Sequence, residues 1–352
     1  MNNHKNSQQK PPTWIVVSYI VPDESSVTAK EILEDQLSIF IGSYRPLEAD
    51  LGLYIYTNSR ECVAKVVQQM KLRGNHMHVQ EVLEKELTFC LGEEGEHFQY
   101  AFSKLNALKA AEENFRNCVE IKQIILSDID CYLSRARPLV TDELGNDKLQ
   151  AIDYRSEQPT TVAFDRLMTK IGMEIGCGRK EFKTGEAAWI NSGMVVIPTK
   201  LLRSVCEKNM KGMKYMRQNK ETIKASCAGH YGDEILLSAI FNSTNNRRIP
   251  LTKNKVAQLI WTCKTVNPTF HWIDIVDPPA HLHLPAIKFM ESQRNALRKM
   301  AKAKVWKNGR IALVINSYSI EERYINEIRV KPIRYLLKQG IQAMRFGGVN
   351  LI

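Results

Sequence analysis

Residues 121–130 read Ile121-Lys-Gln-Ile-Ile-Leu126-Ser-Asp128-Ile-Asp130, an apolar run that breaks into two aspartates. The run is short and rich in β-branched residues, as a buried strand requires. The residues that follow then lie beyond the strand's carboxyl end. Alternate side chains of an extended or turning backbone point the same way, so both carboxylates can face one cation. Hard divalent ions such as Mg²⁺ or Mn²⁺ take oxygen ligands and leave positions open for phosphate oxygens. A turn that merely uses two aspartates remains the plainer alternative.

Upstream, strand and helix signals alternate. Trp14–Val21 reads as a strand ended by Pro22, Thr28–Ile39 as a helix, and Leu51–Tyr56 as a strand closed by Thr57-Asn58-Ser59. Glu61–Met70 reads as a helix, His76–Val82 as a third strand and Phe98–Asn114 as a helix with Phe102, Leu105, Leu108 and Ala111 on one side. Four such alternations predict an α/β fold with a mostly parallel sheet flanked by helices, whose ligands sit beyond the strand carboxyl ends. Downstream, residues 141–186 read as irregular and polar, with Gly172, Gly176, Gly178 and Gly185. Trp189–Pro198 follows as a strand interrupted by Asn191-Ser192-Gly193, and Leu201–Gln218 and Asp233–Asn242 as helices. Lys255–Thr262, Thr269–Val276 and Ala280–Leu284 are expected strands, and the tail from Gln293 a helix with a further strand at Ile311–Ile315.

Composition limits the function classes. The chain has 352 residues, 44% of them apolar, and no apolar stretch near the roughly 18 residues of a membrane span. Residues 1–12 lack the apolar core of a secretory signal and read as a disordered lead-in. Eight widely spaced cysteines with no Cys-x-x-Cys argue for a reducing, cytoplasmic setting rather than a disulfide framework or zinc knuckle. Of the net charge of +11, nearly all lies in the tail: Arg294–Ile352 holds thirteen basic and three acidic residues. A main body near neutrality argues against specific nucleic-acid binding. Arg294, Arg298, Lys299, Lys302, Lys304, Lys307 and Arg310 could instead hold a basic helical extension, residues 292–352, peripherally on an anionic membrane leaflet. A solvated helix face is the equal alternative.

Several motifs occur in a fixed order: Tyr100-Ala-Phe-Ser-Lys104 on a helix, Asp128-Ile-Asp130 after a strand, Asn191-Ser192-Gly193 within a strand, and Gly232-Asp233-Glu234 opening a helix. This set resembles the GT-A fold glycosyltransferases, most closely the retaining enzymes in and around family 8, over roughly residues 14–290. The resemblance implies a GT-A-like, Rossmann-related domain over residues 13–291. It also implies transfer of a hexosyl group, with retention, from a nucleotide-diphosphate sugar (UDP-sugar foremost) to a glycan, lipid-linked or protein acceptor. Asp128 and Asp130 would hold Mn²⁺ or Mg²⁺ with a late histidine, His281 or His283. Relatives carry His-x-x-Gly-x-x-Lys there; this chain has His281-Leu-His283-Leu-Pro-Ala-Ile-Lys288, with no glycine and altered spacing. On a strand both histidines share a face, so register leaves the ligand open, with His283 favoured slightly for its place beside the proline turn.

The resemblance further places Lys104 and Lys288 near the donor phosphates, Tyr19 and Asn58 near base and ribose, and Asp233 beside the anomeric carbon. Asn191 and Glu234 complete the expected catalytic group. Trp189 could stack on an acceptor sugar or simply fill the core. Two other classes stay open: a haloacid-dehalogenase-type phosphatase, which wants Thr or Val where Tyr132 stands, and a non-catalytic carbohydrate-binding relative.

Overall fold

The structure is a computed structural model. It describes residues 10–22, 25–82, 100–140, 148–153, 160–178, 180–227, 232–243, 249–251, 256–259, 279–284 and 291–303. Its centre is a seven-stranded sheet in the order β3-β2-β1-β4-β7-β6-β8. The strands are β1 (Thr13–Tyr19), β2 (Gly52–Thr57), β3 (Met77–Glu81), β4 (Gln123–Ser127), β6 (Gln150–Asp153), β7 (Ile190–Pro198) and β8 (Ile249–Pro250). Six run one way; β7 alone is antiparallel to its neighbours β4 and β6. The expected α/β class with a mostly parallel sheet is therefore what the backbone forms.

The apolar runs explain the order. β2 and β4 are buried along their whole length and β1 nearly so, as strands covered on both faces must be. β3, with half-exposed side chains, and β8, with a proline, sit at the edges. From β1 the chain steps outward to β2 and β3, then returns through helix Tyr100–Phe115 to place β4 against the other side of β1. The strand order reverses between β1 and β4, and that reversal opens a crevice at the carboxyl ends of both. Asp128 and Asp130 leave β4 at this point.

Helix Tyr100–Phe115 packs on β1, β2 and helix Thr199–Gln218, which in turn meets helices Val162–Glu174 and Asp233–Ser243. Helix Val27–Tyr44 belongs to a second packed group, with helices Arg60–Gln69 and Glu291–Ala303. A second, three-stranded sheet, β5-β10-β9, is formed by β5 (Cys131–Leu133), β10 (His281–His283) and β9 (Ala257–Leu259). β5 starts one residue after Asp130, and β10 pairs with it antiparallel, His283 opposite Cys131 and His281 opposite Leu133. A strand some 150 residues later in the chain is thereby laid beside the aspartates.

Several expectations change. Residues 141–186 are not wholly irregular: they contain β6 and helix Val162–Glu174. That helix is capped by Thr161, whose side chain accepts from the Phe164 amide, and it buries Phe164, Leu167, Met168 and Ile171. The glycines with positive φ, Gly176, Gly178 and Gly185, come only after it. Of the expected strand Lys255–Thr262, Ala257–Leu259 is formed within the described residues. Thr269–Val276, Ile311–Ile315 and Lys288 lie outside the described residues. The end of the lead-in is already held, since Pro12 accepts backbone bonds from Lys122 and Gln123.

The tail begins differently from the expectation of a separate basic extension. Helix Glu291–Ala303 packs on helix Val27–Tyr44, where Arg294 Nε and Arg298 donate to the two oxygens of buried Asp35 at 3.1 and 2.8 Å. Two of the seven cations read as membrane-facing are thus committed to an internal partner. Among the described residues, no helix is long and apolar enough to cross a membrane.

Candidate active site

Five chain segments converge at the crevice. The β4–β5 link brings Asp128, Asp130 and Cys131. The start of β7 brings Asn191, Ser192 and Gly193, because β7 runs antiparallel and so begins where β4 ends. Helix Tyr100–Phe115 contributes Lys104, and helix Asp233–Ser243 opens with Asp233 and Glu234. β10 adds His283.

Lys104 is buried, and its ammonium is fully engaged. It donates to Asp128 Oδ1 at 2.5 Å, to the Ser192 carbonyl at 2.8 Å and to Ser192 Oγ at 2.9 Å. Asp233 Oδ2 is a further 2.8 Å charge contact, outside hydrogen-bonding alignment. Burial acts to lower the Lys104 pKa, but Asp128 and Asp233 outweigh it and hold the ammonium charged. The Asp128 carboxyl is pushed up by burial, with Lys104 pulling the other way and Asp130 adding to the rise.

Asn191 fixes the chemistry of His283. The Gly193 amide donates to Asn191 Oδ1 at 2.9 Å, so that atom is an acceptor whatever else it touches. Its amide nitrogen accordingly donates to Glu234 Oε1 at 2.9 Å. His283 Nδ1 lies 2.7 Å from the same Oδ1 and must carry a proton to bond there. In the neutral ring, Nε2 is then a bare lone pair. That lone pair faces Asp130 Oδ1 at 3.1 Å and Asp128 Oδ2 at 3.5 Å.

A lone pair aimed at two carboxylates is repulsive unless a proton or a metal cation lies between them. Burial alone would lower the His283 pKa, but Asp130 and Asp128 reverse the sign and raise it. The pocket is rich in acid: Asp128 and Asp233 flank Lys104, Asp130 meets His283, and Glu234 stands beside them. Burial, then Asp233, pushes Glu234 up to about 7. Two carboxylate oxygens and an imidazole nitrogen are a suitable donor set for Mn²⁺ or Mg²⁺, and the surplus negative charge favours a divalent ion.

The two histidines separate. His281 is buried with Nε2 3.0 Å from Ser127 Oγ, and burial depresses its pKa to about 3. It stands behind the aspartate link rather than at its oxygens. Gly193 makes room for His283: a Cβ there would lie 2.2 Å from the imidazole Nδ1.

The other expected contacts go elsewhere. Tyr19 is buried with its hydroxyl 3.1 Å from Cys62 Sγ, and burial followed by that contact raises its pKa. Asn58 ties β2 to β1, accepting from the Val21 amide at 2.9 Å and donating to its carbonyl at 2.8 Å. Both therefore serve the sheet edge in this structure. Trp189 stacks on Phe164, centroids 4.8 Å apart and planes at 6°, which is core packing.

Two participants went unread in the sequence, Ser192 as a lysine partner and Cys131. The Cys131 sulphur lies within 4.8 Å of ligand atoms of both Asp130 and His283. Burial, with Asp130 and Asp128, raises its thiol pKa well above normal. Its position directly after Asp-x-Asp was the available signal.

No family model matches the chain, and no curated protein matches it. Solved structures do resemble it in outline. One is the galactosyltransferase LgtC with donor and acceptor sugar analogues: 13% identity, 81% of this chain and 95% of that chain, TM-score 0.45. Mouse xyloside xylosyltransferase 1 in its apo form gives 13%, 78%, 99% and 0.47. The glycosyltransferase GlyE of Streptococcus pneumoniae TIGR4 gives 12%, 88%, 64% and 0.44.

Proposed function

We propose that this chain is a divalent-metal-dependent glycosyltransferase, moving a hexosyl group with retention from a UDP-sugar to a glycan, lipid-linked or protein acceptor. One observation carries the reading: the Nε2 of His283, free of a proton in the neutral ring because Asn191 takes Nδ1–H, faces the oxygens of both Asp130 and Asp128. That arrangement, at a strand-order reversal, is suited to a metal-bound diphosphate. The ordered motifs supply the substrate class.

Asp128, Asp130 and His283 would hold Mn²⁺ or Mg²⁺, which as a Lewis acid offsets the charge on a departing nucleoside diphosphate. The chain's own residues do the positioning. Asn191 holds the imidazole with its lone pair inward, and Glu234 holds Asn191. Lys104 orients Asp128 and keeps Asp233 beside it, so Asp233 presents a carboxylate to the reacting centre from a rigid helix start. Ser192 gives its carbonyl and hydroxyl to Lys104, and Gly193 leaves room for the His283 ring, so both brace the site from inside the strand. As the anomeric C–O bond to phosphate breaks, positive charge gathers on the sugar, and a fixed carboxylate near it lowers the barrier.

A panel of sugar nucleotides with Mn²⁺, scored for donor hydrolysis and for thermal stabilisation, tests this. One UDP-sugar should raise the melting temperature only with the metal present and should be slowly hydrolysed. Asp130→Asn should cut that turnover by about 10²–10³-fold or more. Equal stabilisation by simple phosphoesters, or turnover indifferent to chelation, would reject the proposal.

A further inference from the structure

We propose that Cys131 adds a sulphur ligand to the cation held by Asp130 and His283, so that the site takes a thiophilic divalent metal of the Zn²⁺, Co²⁺ or Cd²⁺ kind in preference to Mg²⁺. This rests on the metal-holding reading above and goes beyond it in the ligand set and the metal it selects.

The backbone places the thiol. Cys131 and His283 are direct partners in an antiparallel ladder, so their side chains leave the small sheet on the same face. Asp130, next in the chain, turns its carboxylate to the same point, 3.1 Å from the imidazole. One ligand atom from each of the three residues lies within 4.8 Å of the other two. A tetrahedral site with zinc-like bond lengths separates its donors by about 3.3–3.8 Å, so closure needs side-chain movement of the order of an ångström and no change in the strands. The thiol contacts the Gly193 carbonyl oxygen at 3.4 Å, a weak bond to give up.

Cys206 and Cys227 show the ordinary use of a buried cysteine in this chain, packed as small apolar residues within the core. Cys131 is as buried but stands beside a carboxylate and an imidazole. A carboxylate–imidazole pair alone suits Mg²⁺, Mn²⁺ and Zn²⁺ alike, and one thiolate tips the preference toward softer ions. On binding, the S–H bond breaks heterolytically. The proton leaves to solvent, and the sulphur electron pair forms the bond to the metal, with no change in oxidation state.

Cobalt(II) reads this directly, because a thiolate ligand adds a near-ultraviolet charge-transfer band that oxygen and nitrogen ligands do not. The chelator-stripped full-length protein, titrated with Co²⁺, should develop visible ligand-field bands together with that band. Cys131→Ser and Cys131→Ala should keep the ligand-field bands and lose the charge-transfer band, whereas Cys206→Ser should keep both. Zn²⁺ or Cd²⁺ should displace Co²⁺ at 100-fold lower concentration than Mg²⁺ does, and Cys131→Ser should shrink that ratio at least tenfold. Cobalt bound without the charge-transfer band, in a way that Asp130→Asn abolishes, overturns the sulphur ligand and leaves the parent reading standing. No Asp130-dependent cobalt binding at all overturns both. Thermal melts of the two Cys131 variants check that they fold, and the unmodified protein's spectrum decides the question even if neither does.

Discussion

Asp128 and Asp130 stand two residues apart in one turn and are held in opposite ways. Asp128 is tied by Lys104, a permanent cation brought in by a helix and also bonded to Ser192. Asp130 meets His283, a base whose inward nitrogen has no proton of its own in the neutral state. One side of the site therefore carries built-in charge compensation, and the other is arranged for a charge that comes and goes. A fold needs the first to assemble at all, since carboxylates cannot be buried together uncompensated. A catalyst needs the second.

The largest contrast should come from removing one member of each side. Lys104→Met leaves buried Asp233 and half-buried Asp128 without their cation, and breaking the buried Lys104–Asp233 pair costs about 3–5 kcal/mol. Asp130→Asn, in contrast, removes a negative charge from an acid-rich pocket, so stability without metal should hold or rise. Its loss should fall on metal-dependent turnover. Urea midpoints measured with a chelator present, alongside donor hydrolysis with Mn²⁺, compare the two. If both variants lose stability alike, the distinction between the two aspartates collapses.

A smaller effect should follow from Gly193→Ala. The added Cβ would meet the imidazole at 2.2 Å, and His283 cannot keep both its Asn191 bond and its place beside Asp130. Overpacking of this kind costs about 1–3 kcal/mol. A displaced ligand ring should weaken metal binding about 10–100-fold. Lys104 holds Ser192, next to Gly193, and Asp128, which lies 3.5 Å from the clashing imidazole, so Lys104→Met and Gly193→Ala should couple by about 0.5–3 kcal/mol rather than add. Calorimetric titration of Mn²⁺ gives the affinity; an unchanged value would mean the histidine is not a ligand.

How much of this could be read from the chain differs between the two halves of the sheet. β1, β2 and β4 declare themselves because strands covered on both faces must be apolar throughout, and the alternation of strand and helix then implies the reversal at which Asp128 emerges. β6 is four residues long and shifts register against β7 between Ala151 and Ile152, so no periodicity marks it. Helix Val162–Glu174 was legible in the spacing of Phe164, Leu167, Met168 and Ile171, and the glycines around and after it obscured that pattern. For the site, the aspartates and Lys104 could be named, but the choice between His281 and His283 could not. They share a face of β10, and only the pairing of β10 with β5 decides which meets a carboxylate. Tyr19 and Asn58 were placed by analogy at strand ends, where this chain uses them to join strand ends and helices.

The smallest expected effect concerns Glu234, which links the two sides through Asn191. Its carboxyl is raised from 4.5 to about 7, chiefly by burial and then by Asp233. The folded state thus holds this proton more tightly than the unfolded chain does. Its contribution favours folding below pH 4.5, falls as pH rises from 4.5 to about 7, and is constant above that range. Glu234→Gln keeps an oxygen that can accept from Asn191 and cannot ionise, so it should remove this pH-dependent loss. Urea unfolding of both proteins at pH 5, 6, 7 and 8, metal-free, should show the variant gaining on the wild type up to pH 7 and level beyond it. A constant difference across the series would mean that Glu234 is ionised throughout, and that the bond to Asn191 is maintained by a charge the pocket compensates in full.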